Sequence, residues 1–224
     1  MKLDIRTALR DSILGGQDGL VNVLGIILGV ATATNDSRIV IIAGLAATFA
    51  ESVSMAAVAY TSSKAAVDYH KSELERIRNH MESTHRLEDM VRKFYYRKGF
   101  RGRLLDEMTK KVSSHKKMAY ETILHENNAS VRDYDDPVKS AWIVGVAAFI
   151  GSLIPLIPFI ALPIIQATIA SVVISAFTLF MAGAIKAKIT IGNWIKSGVE
   201  MTIIGMVAAG IGYLIGAALG VAMM

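Results

Sequence analysis

IVIIAGLAATFAESVSMAAVAY, residues 39–60, carries one charged side chain, Glu51, inside a run long enough to cross the hydrocarbon of a bilayer as a helix. Lipid offers no hydrogen-bond partners, so such a run must satisfy its own backbone, and a helix does so. A carboxylate at that depth costs about 3 kcal/mol or more and is expected to face a polar path. Met55 follows Glu51 by four residues and shares its helix face. The two offer an oxygen and a thioether sulfur side by side, a pairing suited to a borderline transition-metal cation rather than to calcium or magnesium. Asp18 interrupts a second apolar run in the same way. For Asp18 an N-cap of its own helix is the alternative reading, since Asp is favoured there.

Outward from this stretch, apolar runs recur at residues 13–33, 141–160, 164–185 and 199–222. With 39–60 they make five candidate spans of about 20 residues each. Composition agrees: 53% of the chain is hydrophobic and its mean hydropathy is +0.43. Charge is concentrated between Lys64 and Asp136, which hold 16 of the 24 Lys and Arg, 13 of the 19 acids and all five histidines. The expected fold is an all-α membrane protein with five transmembrane helices and a helical cytoplasmic insert between the second and third. Residues 1–62 form the N-terminal hairpin, 63–137 the insert and 138–224 the C-terminal membrane part. Spans three and four are joined through Pro155, Pro158 and Pro163.

Basic residues set the direction. Lys2, Arg6 and Arg10 precede span one, the basic insert follows span two, and Lys186, Lys188 and Lys196 separate spans four and five. By the positive-inside rule these segments are cytoplasmic and the C-terminus is outside. Met1 to Asp11 is charged and lacks a small-residue cleavage site, so no signal peptide is read there. The absence of cysteine excludes disulfides, zinc-thiolate sites and thiol nucleophiles. The short chain and lack of organelle-targeting features suggest a prokaryotic plasma membrane. Gly25 and Gly29, and Gly212, Gly216 and Gly220, follow the small-xxx-small spacing of closely packed membrane helices, within one subunit or between two.

The insert reads as two helices, from Lys64 to about Tyr96 and from Arg103 to Glu126, with Gly99 and Gly102 between them. Apolar markers are Leu74, Ile77, Met81, Leu87, Met90, Val91 and Phe94 on the first, and Leu104, Leu105, Met108, Val112, Met118 and Ile123 on the second. Nothing between Ala56 and Ala66 breaks a helix, so span two can run on into the first. Asp135-Asp136-Pro137 opens span three, with Pro137 suited to a first helical turn. Glu82, His85, Glu88 and Asp89 fall at helical spacing, as do His115, Met118, Glu121 and His125; such a donor set suits Fe(II), Mn(II), Co(II) or Zn(II). The same pattern arises on a solvated charged face with methionines packed inward. The interleaved acids and the lack of a stacking platform argue against nucleic acid despite the pI of about 9.4.

Several segments together resemble the vacuolar iron transporter family: Asp18-Gly19-Leu20-Val21; Gly44-Leu45-Ala46 leading to Ser54-Met55; Phe149 to Pro158; Gly183 to Ala187; and Ile204-Gly205 through Tyr213 to Gly216. They run in the family's order over nearly the whole chain. The resemblance implies a five-helix protomer that dimerises, with the ion path near the subunit interface and a metal-binding helical insert. It also implies export of Fe(II) or Mn(II) from the cytoplasm, in exchange for protons. Asp18 and Met55 match the family's membrane-site aspartate and methionine. The family's glutamate lies two turns before the methionine, where this chain has Ala47; Glu51 lies one turn later, about 5.4 Å along the helix. In the insert Met118 and Glu121 match the family's Met-x-x-Glu, and Glu88 matches one of its glutamates. Ile77, His80 and Val91 stand where further glutamates are expected, with His80 and His85 as substitute ligands.

The expectation is therefore a transporter and not an enzyme, with Asp18, Glu51 and Met55 as the membrane metal site. Glu88, Met118, Glu121, His80 and His85 are secondary candidates in the insert. The metal is cargo or regulator, Fe(II) or Mn(II) with Zn(II) or Co(II) also compatible; no tightly bound cofactor is expected. Partners are the metal ion, protons, the bilayer and a second copy of the chain. The alternative is a membrane metal sensor or scaffold acting through the insert without transport. An intramembrane hydrolase using Asp18 and Glu51 lacks the paired-aspartate context such enzymes need.

Overall fold

The computed structural model describes residues 5–81, 84–115, 118–119, 122–123, 136–189 and 192–222, and these contain no strand. Helix α1 spans Ile5–Thr34, α2 Ser37–Met81, α3 Thr84–Arg97 and α4 Gly102–Ser113. Helix α5 spans Pro137–Leu153, followed by a 3-10 turn at Ile154–Leu156 and a short α6 at Ile157–Ala161. Helices α7, Ile164–Ile189, and α8, Trp194–Ala222, complete the chain. Five stretches are long and apolar enough to cross a membrane: Thr7–Thr34, Ser37–Tyr69, Pro137–Ala161, Ile164–Ile189 and Trp194–Gly220. The chain divides into two compact units, residues 1–61 with 136–224, and residues 62–135.

Spans two, three and five begin earlier than the apolar runs suggest, and side-chain caps open their helices. Asp136 caps α5 by accepting from the Val138 amide at 3.0 Å, with Pro137 in the first turn where no amide is needed. Asn193 caps α8, accepting from Ile195 and Lys196 at 3.0 and 3.2 Å. Between α1 and α2, Asn35 takes a positive φ of 49°, the left-handed conformation that ends helices, and Asp36 accepts from the Arg38 amide at 2.7 Å. Two residues thus stop one helix and start the next. At the proline turn, Ser171 of α7 donates to the Pro155 carbonyl at 2.7 Å, satisfying a buried acceptor within the helix break.

Helix α1 is the axle of the membrane unit. On one side Asp11, Gly15 and Gly19 meet Ser140, Val144 and Ala148 of α5 in step. A Cβ at Gly15 would strike the Val144 carbonyl, one at Gly19 the Ala148 carbonyl, and one at Gly151 the Gly16 carbonyl. The register rises together along both chains, so α1 and α5 run parallel. On the other side Gly212 lies on Gly25, Gly216 on Gly29 and Gly220 on Ala33, so α8 is also parallel to α1. The small-residue spacing of spans one and five is therefore spent within one chain. Helix α7 runs against α8, with Gly183 on Ser197 and Thr202 bonded to the Ala176 carbonyl at 3.4 Å. Helix α2 runs against α1 and α5: Gly44 meets Ile27, the Phe49 and Phe149 rings lie 5.5 Å apart, and Gly145 faces Ser52 and Ala56. Val23, Leu24, Ile27, Leu28, Ala31, Val40, Leu156, Phe159, Ala167 and Ala209 form the shared core.

Asp11 closes the first seam. It is 2% exposed, accepts from Ser140 Oγ at 2.6 Å and pairs with Arg10 at 2.8 Å. Its carboxylate sits in the first turn of α5, where the helix dipole favours an anion. That pairing explains how α1 carries charge so close to its apolar stretch and still extends back to Ile5.

In the second unit Leu87, Val91, Val112, Ala119 and Ile123 form a small core with Met90, Phe94 and Tyr95 against it. Of the predicted long first helix, the described residues are helical to Met81 and again from Thr84 to Arg97. The predicted second helix is α4 to Ser113, with a turn and a bend at Ser114 and His115. Leu104 and Met118, taken as apolar markers, are about half exposed, whereas Thr109 is buried, its hydroxyl turned back to the Leu105 carbonyl at 2.7 Å. A polar residue can hide on the inner face of a helix in this way, and apolar counting misses it.

Two consequences are testable. Gly216→Val should destabilise the purified protein by about 1–3 kcal/mol through overpacking against Gly29, read as a fall in thermal midpoint, whereas Gly210→Ala, with nothing within 4 Å of the added Cβ, should leave it unchanged. Ser140→Ala, which strips a donor from the buried Asp11, should cost about 1–3 kcal/mol in the same assay.

Candidate metal site in the spans

Asp18 lies in the middle of α1, more than three turns from its start, so it caps nothing; the N-cap reading is overturned. Seven residues on from Asp11 it returns to nearly the same face of α1, and Asn22 stands one turn further along. Opposite, Glu51 of α2 has Asp18 and Asn22 of α1 as its near polar neighbours, close enough for both side chains to act on its carboxyl. Two acids that are distant in sequence thus meet where antiparallel helices pass, beside a neutral carboxamide. Asp18, Glu51 and Met55 are each half-buried. Met55 lies on Glu51's side of α2, one turn away. Thr48 and Ser52, flanking Glu51 on α2, turn their hydroxyls onto their own helix carbonyls at 2.8 and 2.6 Å and leave the carboxyl as the strong donor of that segment.

Asn22 was missed from sequence. Its signal was present: a carboxamide four residues after Asp18, inside the same apolar run and on the same face. Ala47, where the resemblance implies a glutamate, packs partly buried on the apolar core that includes Ile27 and Val40.

The pair makes a ligand set of two acids, an amide and a nearby thioether. Among the described residues no group of three or more His, Asp or Glu is drawn together. Two apolar grooves flank the spans, one of 680 Å³ between α1, α5 and α7 and one of 520 Å³ between α2 and α5; neither reaches Asp18 or Glu51.

Of the insert candidates, Glu88 and Met118 lie among the described residues. Glu88 is exposed on α3, and Met118 is 50% exposed. Asp89 and His115 are exposed too, with the His115 ring 3.0 Å from Ser114 Oγ. Glu82, Glu121 and His125, and the side chains of His70, His80 and His85, lie outside the described residues. Among the methionines of this region Met90 packs on the small core, whereas Met118 faces out.

Comparison with known proteins bears on the whole chain. The VIT family profile matches residues 9–217. Vacuolar iron transporter 1 of Arabidopsis thaliana is 26% identical over 204 residues, covering 90% of this chain and 82% of that protein. Vacuolar iron transporter 1 of Eucalyptus grandis is 28% identical over 212 residues, with the same coverage. Protein CCC1 of Saccharomyces cerevisiae is 25% identical over 228 residues, covering 90% of this chain and 66% of that protein. With a profile match across nearly its whole length, and five helices long and apolar enough to cross a membrane, this chain belongs to the VIT family.

Proposed function

We propose that this protein, an integral membrane metal-ion transporter by family, carries Fe(II) or Mn(II) out of the cytoplasm. Its substrate site is built from Asp18, Glu51 and Met55, with Asn22 as a fourth donor. The observation that carries this reading is the approach of Glu51 to Asp18 and Asn22 between two membrane helices. Two carboxylates at that distance repel unless a proton or a cation lies between them. A divalent ion supplies the charge when bound and a proton when it leaves, so exchange of the two is an antiport step. Carboxylate and amide oxygens alone would accept magnesium or calcium; the Met55 thioether favours the softer transition metals. Zn(II) and Co(II) fit the same donors. The metal is the cargo, so no catalytic residue is required.

One protomer offers two acids, fewer than a divalent ion usually gathers. A second copy across a twofold axis would double the set. Ile42, Leu45, Phe49 and Val53 leave an exposed apolar stripe on α2 that such a copy could cover. In the orientation proposed, the N-terminus and residues 62–135 are cytoplasmic, the C-terminus is outside and the membrane is a prokaryotic plasma membrane; the basic segments between the spans support it.

Proteoliposomes loaded with a metal-quenched dye and held under a pH gradient test the reading. The wild type should pass Fe(II) and Mn(II), with protons moving the opposite way; Glu51→Ala and Asp18→Ala should bring flux to background. Met55→Ala should keep flux but lose preference over Mg(II). Asn22→Ala should raise the half-saturating metal concentration by about 10-fold, the scale of losing a supporting ligand. Metal binding without flux in the wild type would favour the sensor or scaffold instead, and full flux in Glu51→Ala would overturn the site.

A further inference from the structure

The segment Arg92-Lys93-Phe94-Tyr95-Tyr96-Arg97-Lys98-Gly99-Phe100-Arg101-Gly102-Arg103 carries basic and aromatic side chains without one acid. It plays no part in the transport reading. In the fold it is the end of α3, a tight turn and the start of α4, and the turn is made by Gly99 and Gly102 at φ of 97° and 58°, where a side chain would be strained. The turn is ordered by its own residues. Arg101 stacks its guanidinium 3.7 Å over the Tyr96 ring and donates to the Tyr96 and Phe100 carbonyls, closing the end of α3. Phe94, Tyr95 and Phe100 pack edge to face at 4.9 and 5.5 Å, and the Lys98 ammonium lies 5.7 Å over the Phe94 ring. Arg92 and Arg103 are paired to Asp106 and Glu107 on α4, and among the described residues Lys93, Lys98 and Arg101 have no acid against them at a tip that is exposed.

We propose that this hairpin tip docks on the anionic phospholipid headgroups of the membrane in which the protein resides. Charge complementarity selects the partner: clustered Lys and Arg beside membrane helices are drawn to anionic lipid by about fivefold in affinity for each cation near the surface. Tyrosines and phenylalanines among the cations match the amphipathic layer at headgroup level, where aromatic rings settle. The spans hold the chain in a bilayer, so the tip meets such a surface at high effective concentration. RNA fits less well. Single-stranded bases need open ring faces to stack on, and here the face of Tyr96 is taken by Arg101 while the other rings are packed edge-on against each other.

The test is amide hydrogen exchange over residues 94–101 in the full-length protein, reconstituted in bilayer discs of phosphatidylcholine alone or with phosphatidylglycerol added. Phosphatidylglycerol should slow exchange in this segment, and high salt should reverse the effect. Lys93→Gln with Lys98→Gln should weaken docking by about fivefold per charge removed. Arg101→Lys keeps the charge while losing the stack over Tyr96; it should retain the lipid dependence if the tip remains folded, which its exchange in phosphatidylcholine reports. Equal exchange in both lipids, or unchanged protection in the double variant, would overturn the proposal. So would protection of the same strength from glycerol phosphate or polyuridylate added to phosphatidylcholine discs.

Discussion

Close backbone approach along α1 is the constraint on which the membrane unit depends. In lipid, apolar side chains gain little by turning from acyl tails to each other, so helices associate through dense packing and the few polar contacts they can make. Helix α1 has glycine where α5 presses on it and again where α8 does, and both partners answer with small residues or glycine of their own. The seams run on two sides of one helix, and each is as tight as bare backbone permits. Asp11 and Ser140 then pin the end of the α5 seam with a buried, charge-assisted hydrogen bond.

This clamped helix is what gives Asp18 a fixed place. A carboxylate on a loosely held helix could rotate or slide toward an interface; on α1 it is held two turns from Asp11 between tight contacts on either side. Helix α2 is gripped less: more of its span is left uncovered than of α1 or α5. The site thus joins a rigid wall, carrying Asp18 and Asn22, to a more exposed helix carrying Glu51 and Met55. In the transport reading proposed above, that asymmetry lets an ion reach the carboxylates and leave them without the scaffold dissolving.

The second unit follows a different economy. Its core is small, its helices α3 and α4 are short, and the described charges on them are mostly exposed, with Arg92 paired to Asp106 across the two. The exposed positions of Glu88 and Met118 give it no preassembled cluster among the described residues. What it does present in a fixed form is the cation-and-ring tip at the turn, ordered by stacking and by carbonyl capping rather than by burial.

Span number, helical content and the chemically unusual residues were legible in the chain because each is a local property. Twenty apolar residues must be helix in lipid, and Glu51 within such a run is conspicuous wherever the helix lies. Helix ends were read less well: Asn35, Asp136 and Asn193 act through single hydrogen bonds that periodicity does not register, although Asp136-Pro137 was recognisable. The pairing of Asp18 with Glu51, the arrival of Asn22 beside them and the use of the glycine stripes within one chain were decided only by tertiary structure. Each depends on which helix faces which and in what register, and that is set by contacts between residues far apart in sequence, where no spacing along the chain can reveal it.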